Sequence, residues 1–120
     1  MKETEFNVAS RLDGDAAVIY PRGYLNSLTG ESLVSECGIY TSKGVRKIVL
    51  NFSGIGLINS IGISLLLQVI EDLGNIEGIV CFTNMSKFQT DTLDMLGLIK
   101  HMLIFQTERD ALLYLNIRTA

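Results

Sequence analysis

The sequence has no excess of basic residues and no long hydrophobic run. Lysine and arginine number 10 against 13 aspartates and glutamates, for a formal net charge of −3. Such a chain offers no basic field to a phosphate backbone, so nucleic acid is not an expected partner. Its apolar runs fall well short of the roughly 20 residues that span a bilayer, and the N-terminal segment contains no apolar signal core. We therefore expect a cytoplasmic protein that does not insert into membranes.

Residues that build catalytic or metal sites are also scarce. His101 is the only histidine, and the two cysteines, Cys37 and Cys81, form no C-x-x-C pair. Neither a zinc site nor a redox dithiol is indicated, and we expect both cysteines to be buried. A serine nucleophile would need His101 as its base, but no acid is evidently placed to orient that imidazole. These absences predict a protein that is not an enzyme and that uses no metal or cofactor.

The first half of the chain has the pattern of a hairpin, a helix and a buried strand. Two apolar runs, Phe6 to Leu12 and Ala16 to Leu25, are separated by an Asp-Gly turn, which predicts two antiparallel strands. Thr29 is a suitable N-cap for a helix that runs to about Ser42. The residues from Arg46 to Phe52 are apolar without alternation, as expected for a central parallel strand that is buried on both faces.

The second half alternates helices and strands. Between Gly62 and Gly74 polar residues recur at helical spacing, which predicts an amphipathic helix lying on the sheet. The segments predicted after it are a buried strand from Gly78 to Asn84, a helix capped by Ser86 and Gln89 that ends near Leu96-Gly97, a short strand from His101 to Gln106, and a last helix capped by Thr107 and Asp110. The alternation predicts an α/β fold in one domain, residues 1–120, with a mostly parallel, mixed sheet of about five strands and about four helices.

Asn59 and Ser60 lie between an apolar, strand-like run and the amphipathic helix. In open α/β sheets such a junction lies at the edge where ligands and partners dock. Two compatible interpretations of Ser60 stay open. Its hydroxyl can be the N-cap of the helix, with Asn59 serving the turn. It can also be an exposed group at which a phosphate would meet the positive end of the helix dipole.

Three stretches of the chain resemble the STAS domain, and within that family the bacterial anti-sigma factor antagonists. Gly23 to Asn26 resembles the family's Gly-x-Leu-Asp motif, and Ile48 to Leu67 resembles its strand, Asp-Ser-Ser/Thr-Gly loop and helix. Met95 to Leu112 resembles its C-terminal pattern. The resemblance extends from Phe6 to Ile117 and implies the STAS fold.

The resemblance also implies a partner switch controlled at Ser60. In the family, the serine at this position is phosphorylated by a kinase of the histidine-kinase-like ATPase type that is also an anti-sigma factor. The unphosphorylated protein binds this kinase and frees the sigma factor, phosphorylation separates the two proteins, and a serine phosphatase resets the switch. The residues predicted to contact the partner are Tyr24, Asn26, Ser27, Asn59, Ser60, Ile61, Gly62 and Ser64.

The chain departs from the family pattern at three of these positions. Asn26 and Asn59 stand where the family has aspartate, and Ile61 replaces the second Ser/Thr. The missing carboxylates remove charge that would reinforce the repulsion from a phosphate. Two functions therefore stay open. One is the partner switch, and the other is a STAS subunit that serves as a fixed interaction module, in a signalling scaffold or beside a membrane transporter, where Ser60 only caps its helix.

Overall fold

The computed structural model describes residues 8–119, so the start of the first predicted strand, residues 6–7, lies outside the described residues. After an opening run of three strands, helices alternate with strands, except that β4 is followed directly by β5. The elements are β1 (Ala9–Asp13), β2 (Ala16–Tyr20), β3 (Gly23–Leu25), α1 (Ser27–Ser42), β4 (Lys47–Asn51), β5 (Ile55–Ile58), α2 (Ser60–Asn75), β6 (Ile79–Thr83), α3 (Lys87–Met95), a short 3₁₀ helix (Ile99–His101), β7 (Leu103–Phe105) and α4 (Glu108–Thr119).

The main sheet has five strands in the order β1-β2-β4-β6-β7. β1 and β2 form the predicted antiparallel hairpin, and the other neighbouring strands pair in parallel. Gly14, in the turn of the hairpin, has a φ of 62°, a left-handed conformation that glycine adopts without steric cost. The α/β class, the mixed sheet and the four helices are confirmed.

Helices cover both faces of this sheet. Ile48 and Leu50 of β4 face α1 and α2, whereas Val49, between them, packs with Ala111 and Leu115 of α4. Because both faces are buried, β4 is apolar without alternation, as the sequence predicted. The amphipathic helix α2 buries Leu66, Val69 and Leu73 against the sheet and exposes the polar residues of its other side.

A second sheet of two strands was not predicted. The predicted strand from Ala16 to Leu25 breaks after Tyr20 because Pro21 has no N–H to donate and Gly23 takes a φ of 94°. The chain then continues as β3, which pairs in parallel with β5. Gly23 N donates to Gly54 O at 2.9 Å at the start of this pairing. α1 therefore begins two residues after the end of β3, and α2 begins two residues after the end of β5.

Within residues 8–119, none of the helices combines the length and the apolar character needed to cross a membrane.

Candidate partner-binding surface

The small sheet places the beginnings of α1 and α2 side by side. β3 and β5 run in the same direction with Leu25 opposite Ile58, and the next backbone amide, Asn59 N, donates to Leu25 O at 3.0 Å. The helices that follow pack against each other, with Gly30 of α1 in contact with Leu65 of α2. The two helix N-termini therefore face the same edge of the molecule.

Asn59, and not Ser60, is the N-cap of α2. Its backbone is extended and its Oδ1 accepts a hydrogen bond from Gly62 N at 2.8 Å. Ser60 is the first helical residue, it is exposed, and its hydroxyl makes no hydrogen bond to any residue between positions 8 and 119. The interpretation of Ser60 as the cap is wrong, because asparagine caps a helix as well as serine does and Asn59 is the residue at which the chain leaves the strand.

Asn26 has the corresponding position at the start of α1. Its Oδ1 accepts from Leu28 N and Thr29 N, both at 3.1 Å, and Thr29 Oγ1 accepts from Asn26 N at 2.8 Å. The prediction of Thr29 as the N-cap is wrong by three residues, since Thr29 instead completes a capping box around Asn26. Both amides that replace family aspartates are thus helix caps, a role for which asparagine and aspartate are equivalent.

The predicted contact residues lie together on this edge. Tyr24, Ser27 and Ile61 are exposed, as is Ser64, whose hydroxyl donates to Ser60 O at 3.2 Å. Gly62 is different because it is buried: a Cβ on this residue would lie 2.3 Å from Leu25 O. Gly62 therefore allows α2 to approach the backbone of β3 closely and offers no side chain to a partner.

The predicted contact residues themselves carry no charged side chain. The predicted contact residues are asparagine, serine, glycine, tyrosine and isoleucine, and the first turns of α1 and α2 contain no acidic or basic side chain. Two exposed apolar side chains that were not predicted as contact residues, Leu28 and Leu57, lie within two residues of the predicted ones in the chain. A single phosphate on this surface would be a large electrostatic change, since such a group carries about −1.5 to −2 charges.

Gln89 connects α3 to this region and was predicted only as a cap. Gln89 Oε1 accepts from Ser86 N at 2.9 Å in the predicted capping box, while Nε2 donates to Ile55 O at 3.1 Å. The buried amide thereby holds β5, the strand that leads to Asn59 and Ser60. No sequence pattern pointed to this contact, because α3 and β5 are distant in the chain. Beside it, exposed Phe88 lines a small apolar groove with Ile58 and Ile63.

The histidine and the two cysteines lie in other parts of the fold. His101 is exposed in the 3₁₀ helix that follows α3. Cys37 and Cys81 are buried, as predicted, and burial raises the pKa of the Cys37 thiol to about 12. Among residues 8–119, no three or more histidine, cysteine, aspartate or glutamate side chains are grouped so that they could hold a metal ion.

The fold is that of a small α/β domain with a mixed five-stranded sheet and a second sheet of two strands. The family model of the STAS domain matches residues 7–111, so the chain belongs to the STAS domain family. The resemblance inferred from the sequence is therefore confirmed. No curated protein matches the sequence.

Solved structures with the same fold include anti-sigma factor antagonists. An anti-sigma factor antagonist from Mycobacterium paratuberculosis is 19% identical, with a TM-score of 0.79 over 92% of this chain and 93% of that one. The Bacillus cell fate determinant SpoIIAA in its phosphorylated form is 21% identical, with a TM-score of 0.69 over 92% of this chain and 99% of that one. A sulfate transporter family protein from Wolinella succinogenes is 14% identical, with a TM-score of 0.74 over 89% of each chain. At these identities the likeness shows the fold.

Proposed function

We propose that this protein is an anti-sigma factor antagonist that acts in the cytoplasm. It binds an anti-sigma factor that is also a serine kinase of the histidine-kinase-like ATPase type, and phosphorylation of Ser60 controls the binding. The observation that carries the proposal is the Ser60 hydroxyl, which is exposed while Asn59 caps the helix. A serine that the fold does not need as a cap is available to a kinase without loss of structure.

The position of Ser60 at the start of α2 explains how phosphorylation could leave the fold intact and still prevent partner binding. A phosphate on the first residue of α2 would meet the positive end of the helix dipole, which tolerates negative charge. The predicted contact residues around Ser60 carry no charged side chain and include exposed Tyr24 and Ile61. A partner that packs on these side chains would have to desolvate a dianion, which is costly. Binding is therefore lost on phosphorylation, and removal of the exposed phosphate by a serine phosphatase restores it.

The absence of the family's aspartates makes the phosphate the main source of charge at this edge. Asn26 and Asn59 keep the capping hydrogen bonds without contributing a carboxylate. In the unphosphorylated state the two caps are neutral, and phosphorylation of Ser60 adds about −1.5 to −2 charges beside them. The likeness to SpoIIAA, a protein whose structure is known in a phosphorylated form, supports this assignment.

The first test is mass spectrometry of the protein purified from its own cells, which reports whether Ser60 carries phosphate. The second is calorimetry with a kinase of the histidine-kinase-like ATPase type from the same organism. We expect Ser60→Asp to weaken binding at least tenfold, or about 1.4 kcal/mol, with little change in thermal stability. Ser35→Asp places the same charge on an exposed helical serine of α1 and should bind like the wild type. Equal affinity of phosphorylated and unphosphorylated protein would refute the switch.

A second candidate is a fixed interaction module in a signalling scaffold or beside a membrane transporter. The observation that favours it is the replacement of two family acids by Asn26 and Asn59, which serve as caps in this fold. The likeness to a sulfate transporter family protein is compatible with it. In this case Ser60 stays unmodified in cells, and the same mass spectrum separates the two candidates.

A further inference from the structure

The strand-Asn-Ser unit that carries Ser60 occurs twice in this protein. Residues 24–28 are Tyr-Leu-Asn-Ser-Leu, and residues 57–61 are Leu-Ile-Asn-Ser-Ile. At each of the five positions the two segments have the same kind of residue: a large apolar side chain, an aliphatic one, asparagine, serine and a second aliphatic one. The serine of the first segment is Ser27.

The structure aligns these two segments in space. They run in the same direction on the paired strands β3 and β5, and Leu25 lies opposite Ile58, its counterpart in the pattern. In each segment the asparagine caps a helix of 16 residues and the serine is the first helical residue. Ser27 and Ser60 therefore occupy equivalent positions at one edge of the molecule.

The exposure of the two segments matches position by position. The first apolar residues, Tyr24 and Leu57, are 47% and 64% exposed, and the residues after the serines, Leu28 and Ile61, are 58% and 51% exposed. Both serines are exposed, and the Ser27 hydroxyl makes no hydrogen bond to a residue in the described range 8–119.

The two segments differ in the residue two positions after the serine. Thr29 closes a capping box around Asn26, whereas Gly62 occupies the corresponding place in α2. Thr29 Oγ1 is engaged with Asn26 and with Tyr24 O at 2.6 Å, and none of these bonds covers the Ser27 hydroxyl. An enzyme that recognises the Ser60 segment by its conformation and flanking apolar side chains therefore meets the same features at Ser27.

We propose that Ser27 is a second phosphoacceptor, modified by the kinase that modifies Ser60. This inference rests on the proposed function. In the transfer, Ser27 Oγ attacks the terminal phosphorus of a nucleoside triphosphate bound to the kinase, and a new O–P bond forms. The bond from that phosphorus to the bridging oxygen breaks, the nucleoside diphosphate leaves, and the hydroxyl proton passes to a base of the kinase. Each phosphate adds about −1.5 to −2 charges to the same edge, so the second strengthens the effect of the first.

The test is intact-mass and fragmentation mass spectrometry of the protein produced in its own cells. The variants are Ser60→Ala, Ser27→Ala and the double variant, with Ser35→Ala as a control at an exposed serine in the middle of α1. We expect phosphate on both serines of the wild type, on Ser27 alone in Ser60→Ala, on Ser60 alone in Ser27→Ala, and on neither in the double variant. The control should match the wild type, and circular dichroism checks that each variant folds.

The outcomes separate this inference from the proposed function. If Ser60 is phosphorylated and Ser27 never is, the inference is overturned and the proposed switch stands. If Ser27 is phosphorylated and Ser60 never is, the inference stands and the proposed role of Ser60 fails. If neither serine carries phosphate under conditions in which the partner kinase is active, both are overturned.

Discussion

Replacing Gly62 by alanine tests whether the first turn of α2, which contains Ser60, packs closely against β3. A Cβ at this position would lie 2.3 Å from Leu25 O and 2.9 Å from Leu25 C, both backbone atoms of β3. Such distances are too short for atoms that are not bonded, so the first turn of α2 must move away from β3. Gly74, in the last turn of the same helix, has nothing within 4 Å of the corresponding Cβ position and provides a matched control.

Two opposing effects set the expected magnitude. Alanine favours a helix over glycine by about 1 kcal/mol, and this gain applies to both positions. Overpacking typically costs about 1–3 kcal/mol, occasionally more, and applies only to Gly62, where rigid backbone is the obstacle. The cost less the gain gives an expected decrease of about 0–2 kcal/mol in the free energy of unfolding for Gly62→Ala, whereas Gly74→Ala should raise it by about 0.5–1 kcal/mol.

Urea unfolding of the wild type and both variants, fitted to a two-state transition, measures these changes. Amide hydrogen exchange should localise the effect, with faster exchange at Asn59 N, which donates to Leu25 O in the wild type. If Gly62→Ala were as stable as Gly74→Ala, the close approach of α2 to β3 would be refuted.

Three further predictions concern the core and the opposite face of the sheet. Leu66→Ala, at a buried position of α2, should lower the free energy of unfolding by about 2–5 kcal/mol, and a loss below about 0.5 kcal/mol in urea unfolding would count against the helix assignment. The Cys37 thiol, whose pKa burial raises to about 12, should stay unreactive toward a thiol reagent at pH 8 until the protein is unfolded; rapid labelling of the native protein would contradict its burial. Burial opposes ionisation of Glu108, but hydrogen bonds from Asn51, Arg11 and Tyr20 outweigh it and lower the pKa of this carboxyl. The ionised carboxylate of Glu108 therefore stabilises the fold at neutral pH. This stabilisation is lost as the pH falls from about 4.5, the ordinary pKa of a glutamate, through the lower pKa that Glu108 has in the folded protein. In urea unfolding at pH 7, Glu108→Gln should therefore have a lower free energy of unfolding than the wild type, and the difference should be smaller at pH 3. An equal difference at both pH values would contradict the lowered pKa of Glu108.

Local patterns were sufficient for most of the helices and strands. The apolar run at β4, the Asp-Gly turn between β1 and β2, and the Ser86–Gln89 capping box each depend on residues close in sequence, and each is present in the structure. Such features follow from side-chain periodicity and from hydrogen bonds between neighbours. The exposed position of Ser60 also followed from the sequence, since it lies at a strand-helix junction.

Two details of the site depended on contacts between distant residues. β5 has only four residues, including Gly56, and it is a strand because β3 supplies its partner. Gln89 was recognisable as part of a capping box, but its second amide bond reaches Ile55 O, which no local rule indicates.

The sequence by itself determined the α/β class, the order of most elements, the family resemblance and the position of an Asn-Ser pair at the start of α2. The tertiary structure alone decided which of these two residues caps the helix. It also placed a second Asn-Ser pair, Asn26 and Ser27, next to Asn59 and Ser60. The physical reason is that serine and asparagine are equally good caps, so local preference cannot choose between them. The choice is made where the chain leaves the small sheet, by the hydrogen bond from Asn59 N to Leu25 O, whose partners lie in different strands.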